Sequence, residues 1–432
     1  MYEDYLKLNF YPIKKRGIAF LKNQRQQLAT YGVAVFLLKK SYRVTVKLLF
    51  LPLSLTLIVA IRILRPFMTI RLGQVTMDRI GNPYYVEWYL CEKDAGKLGK
   101  GNVDIYYFIG KCSNPQWFKM IKRNLLTFPF GNLAQMVDRL NQKLPGYEPH
   151  IIPEITHMDI YANKNDVLLH RLNANLHYHF TPEEEIRGRN ELSEIVPEDQ
   201  TFICFHIRDS AYLDTVQPNR DWSYHNFRDS SLHNYLPSVE QLVQRGYSAV
   251  RMGAVVKEKL ITTNPGIINY AENGKRSDFM DIYLSAKCRF FLGTDTGLTI
   301  FPEMFKRPVV YVNWPRLPLI STWTHTGLVI PKKVYSKKEG RLLKFSELLE
   351  FLNISCNPLI FKQLEFIENT SEEITAVALE MDDRLNGIWE TNEEDEELQR
   401  RFWALFGPDK LKSPSLRMGA EFLRQNHDLL ES

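Results

Sequence analysis

The sequence predicts an α/β protein in which parallel sheets are covered by helices on both faces. Short apolar segments alternate with segments of helical periodicity, and Gly, Pro and Asn separate them. The chain has 432 residues, of which 44% are hydrophobic and 24% charged, as in ordinary folded proteins. At about 100–200 residues per domain, this length predicts two or three structural units.

Two α/β halves are predicted after residue 66, with a boundary near residue 196. The first half contains predicted strands at 67–72 and 103–109 and predicted helices at 117–126 and 132–143. The second half alternates strand and helix at least three times. Its predicted strands are residues 201–207, 248–252, 267–270, 288–292 and 309–312, and its predicted helices are residues 236–245, 278–286 and 298–305.

The C-terminal part of the chain is predicted to be helical. Thr370 and Glu373 fit a capping box in front of apolar residues at helical spacing, and Gly387 marks the end of that helix. The predicted organisation is therefore a basic N-terminal region, two Rossmann-like domains and a helical tail. Their ranges are 1–66, 67–196, 197–345 and 346–432.

The N-terminal region is strongly basic and partly apolar. Residues 1–66 carry twelve Lys and Arg residues against two acidic residues, although the whole chain has a net charge of only +5. Two apolar stretches, 31–38 and 48–61, lie among these cations, and both are shorter than the roughly 20 residues of a membrane-spanning helix. The pattern predicts a helix lying on an anionic membrane surface. A helical extension packed on the protein and a single membrane span are the alternatives.

Several classes of function are excluded by missing motifs. The five cysteines lie far apart with no C-x-x-C, so neither a disulfide framework nor a local zinc site is indicated, and a reducing, cytosolic environment is expected. The chain contains no P-loop, dinucleotide-binding or G-x-S-x-G motif. It also contains no D-x-D pair to hold a metal against a diphosphate, so no metal or cofactor is predicted. Nothing resembles a base-reading module, so nucleic acid is not an expected partner.

Candidate ligand-binding residues follow the predicted strands of the second half. In open parallel sheets, ligands bind at the carboxyl ends of strands. Arg208 and Asp209 follow the strand 201–207, and Arg251 and Gly253 lie at the end of the strand 248–252. Arginines at neighbouring strand ends provide a fork suited to a diphosphate. A local ion pair between Arg208 and Asp209 is the structural alternative.

The segment 293–297 is a glycine-bounded loop that leads into a predicted helix. Its residues Thr294, Asp295, Thr296 and Gly297 would offer backbone amides and a helix dipole to a phosphate. Glu303, on the helix, would accept hydrogen bonds from ribose hydroxyls. The sequence therefore predicts a nucleotide-diphosphate pocket, and a tight turn with an Asp cap is the alternative.

Further candidates lie outside these strand ends. His225 and Arg228, in the polar segment 224–230, would contact phosphate or sugar unless the segment is a plain surface loop. Arg71, Asp78 and Arg79 end or follow the first strand and would face the pocket across a cleft. Asp78 would deprotonate an acceptor hydroxyl, unless it only pairs with Arg79.

Two further histidines lie outside these groups. His157 and Asp159 are an alternative pair of candidates for the acceptor side. His206 lies in an apolar strand and is expected to be a hydrogen-bonded core histidine.

Four motifs of the second half, taken in order, carry a family resemblance. They are residues 204–209 (CFHIRD), 224–229 (YHNFRD), 246–253 (GYSAVRMG) and 291–298 (FLGTDTGL). Together they resemble a family of bacterial glycosyltransferases found with surface-polysaccharide genes. Residues 69–73 with 78–81, and the tail motif 397–403, are similar to the same family, so the likeness covers roughly residues 67–430.

A more distant similarity is to metal-independent fucosyltransferases with two facing Rossmann domains. In those enzymes an arginine at the position of Arg208 contacts the donor diphosphate. The match departs at Asp209, where a second arginine is usual, and this puts GDP-fucose as the donor in doubt.

The resemblance implies a metal-independent glycosyltransferase of the GT-B type, an α/β fold with two facing Rossmann-like domains. Residues 67–196 would bind a lipid-linked or glycan acceptor, and residues 197–345 a nucleotide-sugar donor, at the cytoplasmic face of the membrane. The expected catalytic residues are Asp78 and Arg208, and Arg71, Arg79 and His225 are expected on the acceptor side. The expected donor-binding residues are Arg208, Asp209, Arg228, Arg251, Gly253, Thr294, Asp295, Thr296, Gly297 and Glu303.

Two other functions fit the same pattern. One is a nucleotide-sugar epimerase on the same scaffold, which would not need the basic N-terminal region. The other is a non-catalytic, membrane-bound protein of polysaccharide assembly with an unused pocket.

Overall fold

The computed structural model describes residues 48–153, 167–216, 218, 221–320, 324–350, 362–406 and 415–431, together with six residues between 32 and 45. The architecture is mixed α/β with a parallel sheet, as predicted. The chain divides into two compact units, which are described in turn. The domain boundaries near residues 66, 196 and 345 stay predictions.

The elements are numbered along the described chain. The strands are β1 (Thr69–Thr76), β2 (Asn102–Ile109), β3 (Phe202–Phe205), β4 (Ser248–Arg251), β5 (Ile267–Ile268), β6 (Phe291–Gly293), β7 (Val309–Trp314), β8 (Gly327–Pro331), β9 (Lys333–Ser336), β10 (Arg341–Leu342), β11 (Leu364–Ile367) and β12 (Leu416–Met418). The α-helices are α1 (48–63), α2 (Tyr84–Asp94), α3 (Pro115–Asn124), α4 (Gly131–Asn141), α5 (Val167–Asn173), α6 (Pro182–Ser193), α7 (Ala211–Val216), α8 (Leu236–Gln244), α9 (Asp278–Lys287), α10 (Ile300–Met304), α11 (Phe345–Leu349), α12 (Ser371–Leu385), α13 (Glu393–Ala404) and α14 (Ala420–Gln425).

The first unit contains the described residues up to Gln74 together with Gly101–Tyr107 and Phe128–Ile152. Strands β1 and β2 form a two-stranded sheet. Leu72 of β1 also forms a parallel bridge with Ile151. The two strands that the sequence predicts for the first half, at 67–72 and 103–109, are thus present and pair in one small sheet.

Helix α1 buries one stripe of its surface and exposes the other. Ser54, Ile58 and Ile61 are buried, and their spacing of four and three residues places them on one face. Beside them, Arg62 Nε donates to Asn141 Oδ1 at the end of α4, at 2.9 Å. The other face is apolar and exposed. Its residues include Leu48, Leu49, Leu53, Leu55, Val59 and Ile63.

The prediction of a membrane-associated segment falls partly on α1. Most of residues 1–47 lie outside the described residues. Among the helices that the structure describes, none combines the length and the apolar character needed to cross a bilayer.

The second unit is built on a seven-stranded sheet with the order β12-β8-β7-β6-β3-β4-β5. All six neighbouring pairs are parallel. Every residue of β3, β4, β6, β7 and β8 is buried, as expected for strands with both faces covered. Strands β3, β4 and β5 lie in chain order towards one edge of the sheet, and strands β6, β7, β8 and β12 lie in chain order towards the other edge. The strand order therefore reverses between β3 and β6, where ligands bind in such sheets.

The tail is less uniformly helical than predicted. Thr370 forms the expected capping box with Glu373, α12 runs to Leu385, and Gly387 has a φ of 71°. The tail also contributes β11 and β12, and Leu416 of β12 pairs with Gly327 of β8. These strands have only three or four residues, so hydrophobic periodicity could not reveal them.

Candidate functional site

A cavity of about 440 Å³ opens beside the strand-order reversal, and all its lining residues belong to the second unit. Four arginines line it, each from a different loop. Arg208 follows β3, Arg316 follows β7, Arg79 follows β1, and Arg228 lies in the 3-10 segment Ser223–Arg228. Strands β3 and β7 belong to the same parallel sheet and end at one edge of it, so the loops that carry Arg208 and Arg316 converge there.

Arg208 is almost buried in the cavity wall. Its guanidinium forms a salt bridge with Asp229 and donates to the His225 carbonyl at 3.1 Å. The Arg208 carbonyl accepts from Ser230 N at 3.1 Å, so the 3-10 segment and the end of β3 are tied together. Burial, reinforced by the charge of Arg228, lowers the pKa of Arg208 to about 10. It therefore stays cationic at neutral pH.

The loop Thr294–Gly297 follows β6 and is held by its own hydroxyl groups. Thr299 Oγ1 donates to the carbonyls of Thr294 and Thr296, at 2.9 and 2.7 Å, and accepts from Thr296 N at 3.3 Å. Asp295, Thr296 and Gly297 line the cavity. Thr294 is fully buried, and its hydroxyl donates to Asn313 O, so its side chain supports the turn.

The helix after this loop does not supply the helix dipole that the sequence predicts at the loop. Helix α10 has only five residues and begins at Ile300, three residues beyond Gly297. A dipole from so short a helix contributes little at the loop, because the effect fades within a turn. The positive charge at this place comes mainly from arginine side chains.

Asp295 lies between two of these arginines. Its Oδ1 is 3.0 Å from Arg228 Nη2, and its Oδ2 is 3.1 Å from Arg316 Nη2. Burial alone would raise the pKa of Asp295, but the two guanidinium groups hold it at about 2. Sequence reasoning missed Arg316, although the rule that found Arg208 applies to it, because it stands two residues after β7 ends.

His225 is half-buried in the cavity wall. Burial and the charges of Arg228, Arg208, Arg79 and Arg316 lower the pKa of its imidazole to about 4. Its ring stacks on Trp222, with centroids 6.0 Å apart. The guanidinium of Arg79 lies 5.0 Å from the centroid of the same indole. At neutral pH the cavity thus holds an uncharged imidazole among four cations.

Glu303 is nearly buried and lines the cavity. Its carboxylate accepts from Tyr311 OH, which also contacts Thr324 Oγ1 at 2.7 Å. Its carbonyl accepts from the buried Arg171 at 2.8 Å. Glu303 is therefore held firmly, and its predicted role towards a ribose stays a prediction.

Two other predicted residues, Asp209 and Gly253, also line the cavity. Asp209 accepts from Ala211 N at 2.9 Å and from Lys257 N at 2.7 Å, so it organises the loops beside it. The alternative of a local ion pair between Arg208 and Asp209 is not observed, because the carboxylate partner of Arg208 is Asp229. His206 Nδ1 donates to Met252 O at 3.0 Å, as expected for a hydrogen-bonded core histidine, and His206 also lines the cavity.

Besides the buried Thr294, three other predicted residues are absent from the cavity lining. Arg251 is buried, donates to Glu258 O at 2.6 Å and pairs with Glu272. Asp78 is exposed and accepts from Asn82 Nδ2. Arg71 belongs to the first unit, where it forms a salt bridge with Asp104. His157 and Asp159 lie outside the described residues.

One group of described side chains, away from the cavity lining, has the composition of a metal site. Glu87, Cys91 and His177 bring their ligand atoms together. Arg171, however, already pairs with the Glu87 carboxylate at 3.2 Å, and burial strongly raises the pKa of the Cys91 thiol. A fixed cation and a neutral thiol both oppose metal binding, so these residues fit a buried hydrogen-bonded network better.

Fold and site together define an α/β protein with an arginine-lined cavity at the reversal point of a parallel sheet. No protein-family model matches the chain, and the search of curated proteins found no match. Two solved structures are similar to it. A glycosyl transferase of family 9 from Veillonella parvula DSM 2008 is 10% identical, with 61% of this chain and 86% of that chain covered and a TM-score of 0.38. ADP-heptose lps heptosyltransferase II of E. coli is 12% identical, with 66% and 98% covered and a TM-score of 0.37.

Proposed function

We propose that the protein is a glycosyltransferase that binds a nucleoside-diphosphate sugar in this cavity. The observation that carries the proposal is the convergence of Arg208, Arg228 and Arg316 beside the loop Thr294–Gly297. Guanidinium groups match phosphate oxygens in geometry and charge. The cavity volume lies within the range of about 300–1,000 Å³ typical of small-ligand sites.

The proposed reaction is a displacement at the anomeric carbon of the donor sugar. The acceptor hydroxyl oxygen forms a bond to this carbon, while the bond to the phosphate oxygen breaks. The nucleoside diphosphate leaves with the bonding electron pair, and the acceptor proton passes to a base. Negative charge grows on the leaving diphosphate, and preorganised arginines stabilise it more in the transition state than in the bound donor. We propose that the transfer is metal-independent for this reason.

Two residues are candidates for the base. Asp78 is the residue that the sequence predicts, although its exposed side chain is absent from the cavity lining. His225 lines the cavity, and its lowered pKa keeps the imidazole neutral. Binding of an anionic diphosphate among the arginines would raise the pKa of His225 towards its ordinary value, which makes it a better base when the donor is present.

We propose a GT-B arrangement in which residues 67–196 bind the acceptor and residues 197–345 bind the donor. We further propose that the acceptor is a lipid-linked glycan at the cytoplasmic face of the membrane. The exposed apolar face of α1 and the excess of Lys and Arg in residues 1–66 support this proposal. Confinement of enzyme and acceptor to one surface would raise their effective concentration.

The test begins with binding. The full chain is heated with GDP-, UDP-, dTDP- and CMP-sugars at millimolar concentration, since a ligand bound only to the folded state raises Tm. At least one diphosphate sugar should raise Tm, whereas CMP-sugars, which lack a diphosphate, serve as controls. Transfer of a labelled sugar from the binding donor to a membrane extract then tests the chemistry.

The alternatives give different results in the same test. An epimerase would convert the donor without any acceptor, which separation of the sugar nucleotides detects. A non-catalytic assembly protein would show neither conversion nor transfer. Absence of a Tm shift with every nucleotide sugar would contradict the proposal.

A further inference from the structure

Arg228 and Arg316 form a fork around one carboxylate. Each places its Nη2 near a different oxygen of Asp295, at 3.0 and 3.1 Å. Arg228 also donates to the Asp295 carbonyl. The two guanidinium groups therefore face a common point, which lies in the lining of the cavity.

The fork has donors that Asp295 does not satisfy. Within the described residues, neither Arg228 Nε nor Arg316 Nε has a hydrogen-bond acceptor, although both atoms are buried. A buried donor without an acceptor costs free energy. A carboxylate has only two oxygens, and Asp295 already gives one to each arginine. Once a nucleoside diphosphate has left the sugar, its terminal phosphate has three free oxygens and more negative charge than a carboxylate, so it would satisfy these donors better.

We propose that Arg228 and Arg316 bind the terminal phosphate of a diphosphate, and that Asp295 is a built-in counter-ion whose carboxylate this phosphate displaces. The inference rests on the proposed function for the identity of the ligand, the diphosphate of a donor or of a released nucleotide. It assigns Arg316 to one phosphate of the ligand and gives Asp295 the opposite role to the one that the sequence suggested. Asp295 weakens anion binding in place of supporting it.

The physical basis is that two anions, the phosphate and the Asp295 carboxylate, compete for the same two guanidinium groups. Without an anion, two guanidinium groups that point at one place repel each other, so a carboxylate between them stabilises the empty site. A phosphate at the same place would lie beside the Asp295 carboxylate, and their repulsion forces the carboxylate aside. The same competition favours release of the nucleoside diphosphate after transfer.

The experiment is titration calorimetry of the full chain with inorganic pyrophosphate. Arg316→Met should weaken binding at least tenfold, and Asp295→Asn should strengthen it at least tenfold. Arg245→Met is the matched control, because Arg245 also bridges two carboxylates, Asp382 and Asp383, but lies outside the cavity lining. Its affinity should stay within twofold of the unmodified protein.

Folding of each variant is checked by its Tm. Arg316→Lys and Asp295→Ser serve as second variants and should shift the affinity in the same directions. Unchanged affinity in both Arg316 variants, or weaker binding in both Asp295 variants, would overturn the inference. Sugar transfer that does not depend on Arg316 would also overturn it while leaving the proposed function intact. Pyrophosphate binding with the expected pattern, but no binding of any nucleotide sugar, would support the inference and contradict the proposed function.

Discussion

Gly81 and Gly297 pack backbone against backbone at the edge of the cavity. A Cβ atom on Gly297 would lie 3.3 Å from Gly81 N, and a Cβ on Gly81 would lie 3.4 Å from Gly297 Cα. The loop after β1 and the loop after β6 thus touch with no side chain between them. This contact brings Arg79 and the loop Thr294–Gly297 to one cavity.

The glycine contact can be tested with single and double substitutions. Gly297→Ala should lower the free energy of unfolding by about 1–2 kcal/mol, because the added methyl group overpacks a tight backbone contact. Gly81→Ala should cost less, since its Cβ would make an ordinary contact. The two methyl groups would occupy the same gap, so the double variant should lose more stability than the sum of the single losses. Urea denaturation measures all three, and strictly additive losses would contradict the contact.

Replacement of Arg208 should remove activity more than stability. Arg208→Ala should reduce sugar transfer about 100- to 1,000-fold, because the variant lacks a guanidinium group that donates hydrogen bonds to the leaving diphosphate. Arg245→Ala removes an equal charge outside the cavity and should leave the transfer rate unchanged. The assay follows transfer of a labelled sugar, with Tm as the check on folding. Equal losses in the two variants would speak against a catalytic role for Arg208.

The free energy of unfolding should fall as the pH is lowered from about 6.5 to about 4, the pKa values of His225 in the unfolded and folded states. The pKa of His225 is about 4 in the folded protein, against about 6.5 in an unfolded chain. The unfolded state therefore binds protons first, and the stability present above pH 6.5 is lost as the pH falls towards 4. His325 contributes in the same direction. Burial and the nearby charges of Arg171 and Lys306 lower its pKa to about 4 as well.

A variant isolates the contribution of His225. The loss between pH 6.5 and 4 should be about 1–2 kcal/mol for each histidine after allowance for partial exposure. His225→Asn should make the dependence shallower, and chemical denaturation at several pH values measures it. An unaltered pH profile in this variant would contradict the lowered pKa.

The two candidate bases are distinguished by their variants. His225→Asn should lower kcat about 100-fold or more if His225 takes the acceptor proton, since general base catalysis contributes about 10²–10⁴-fold. Asp78→Asn should then have a small effect, because Asp78 is exposed and outside the cavity lining. A large loss of kcat in Asp78→Asn alone would identify Asp78, the residue that the sequence predicts, as the general base. The pH profile of kcat should lose its acid limb only in the variant of the true base.

Membrane association can be tested on the exposed face of α1. Leu55→Glu and Val59→Glu should reduce sedimentation of the chain with anionic phospholipid vesicles, because each places a charge on an apolar surface. Ile261→Glu is the control, since Ile261 is exposed in the second unit. Binding that is equal in all three variants, or equal with neutral vesicles, would contradict the proposed anionic surface.

Much of the fold could be predicted from local patterns in the sequence. Strands β3 to β7, the capping box at Thr370 and the glycine after α12 depend on interactions within a few residues, and the sequence predicts each of them close to its observed position. Strands β8 to β12 were missed, and all of them except the five-residue β8 have only two to four residues, too few for a measurable period. In the first half, the two predicted strands and two predicted helices are confirmed, and the described residues form three further helices, α2, α5 and α6, that were not predicted.

The sequence by itself determined which side chains follow the buried strands, because strand ends and glycine loops are local features. Only the tertiary structure decided which of these side chains share a cavity. Arg208 lines it, whereas Arg251, also at a strand end, is buried against Glu258 and Glu272. The fork of Arg228 and Arg316 around Asp295 joins three separate loops, and such a meeting depends on strand order and packing. Local sequence cannot specify that meeting, because Asp295 lies 67 residues along the chain from Arg228 and 21 residues from Arg316.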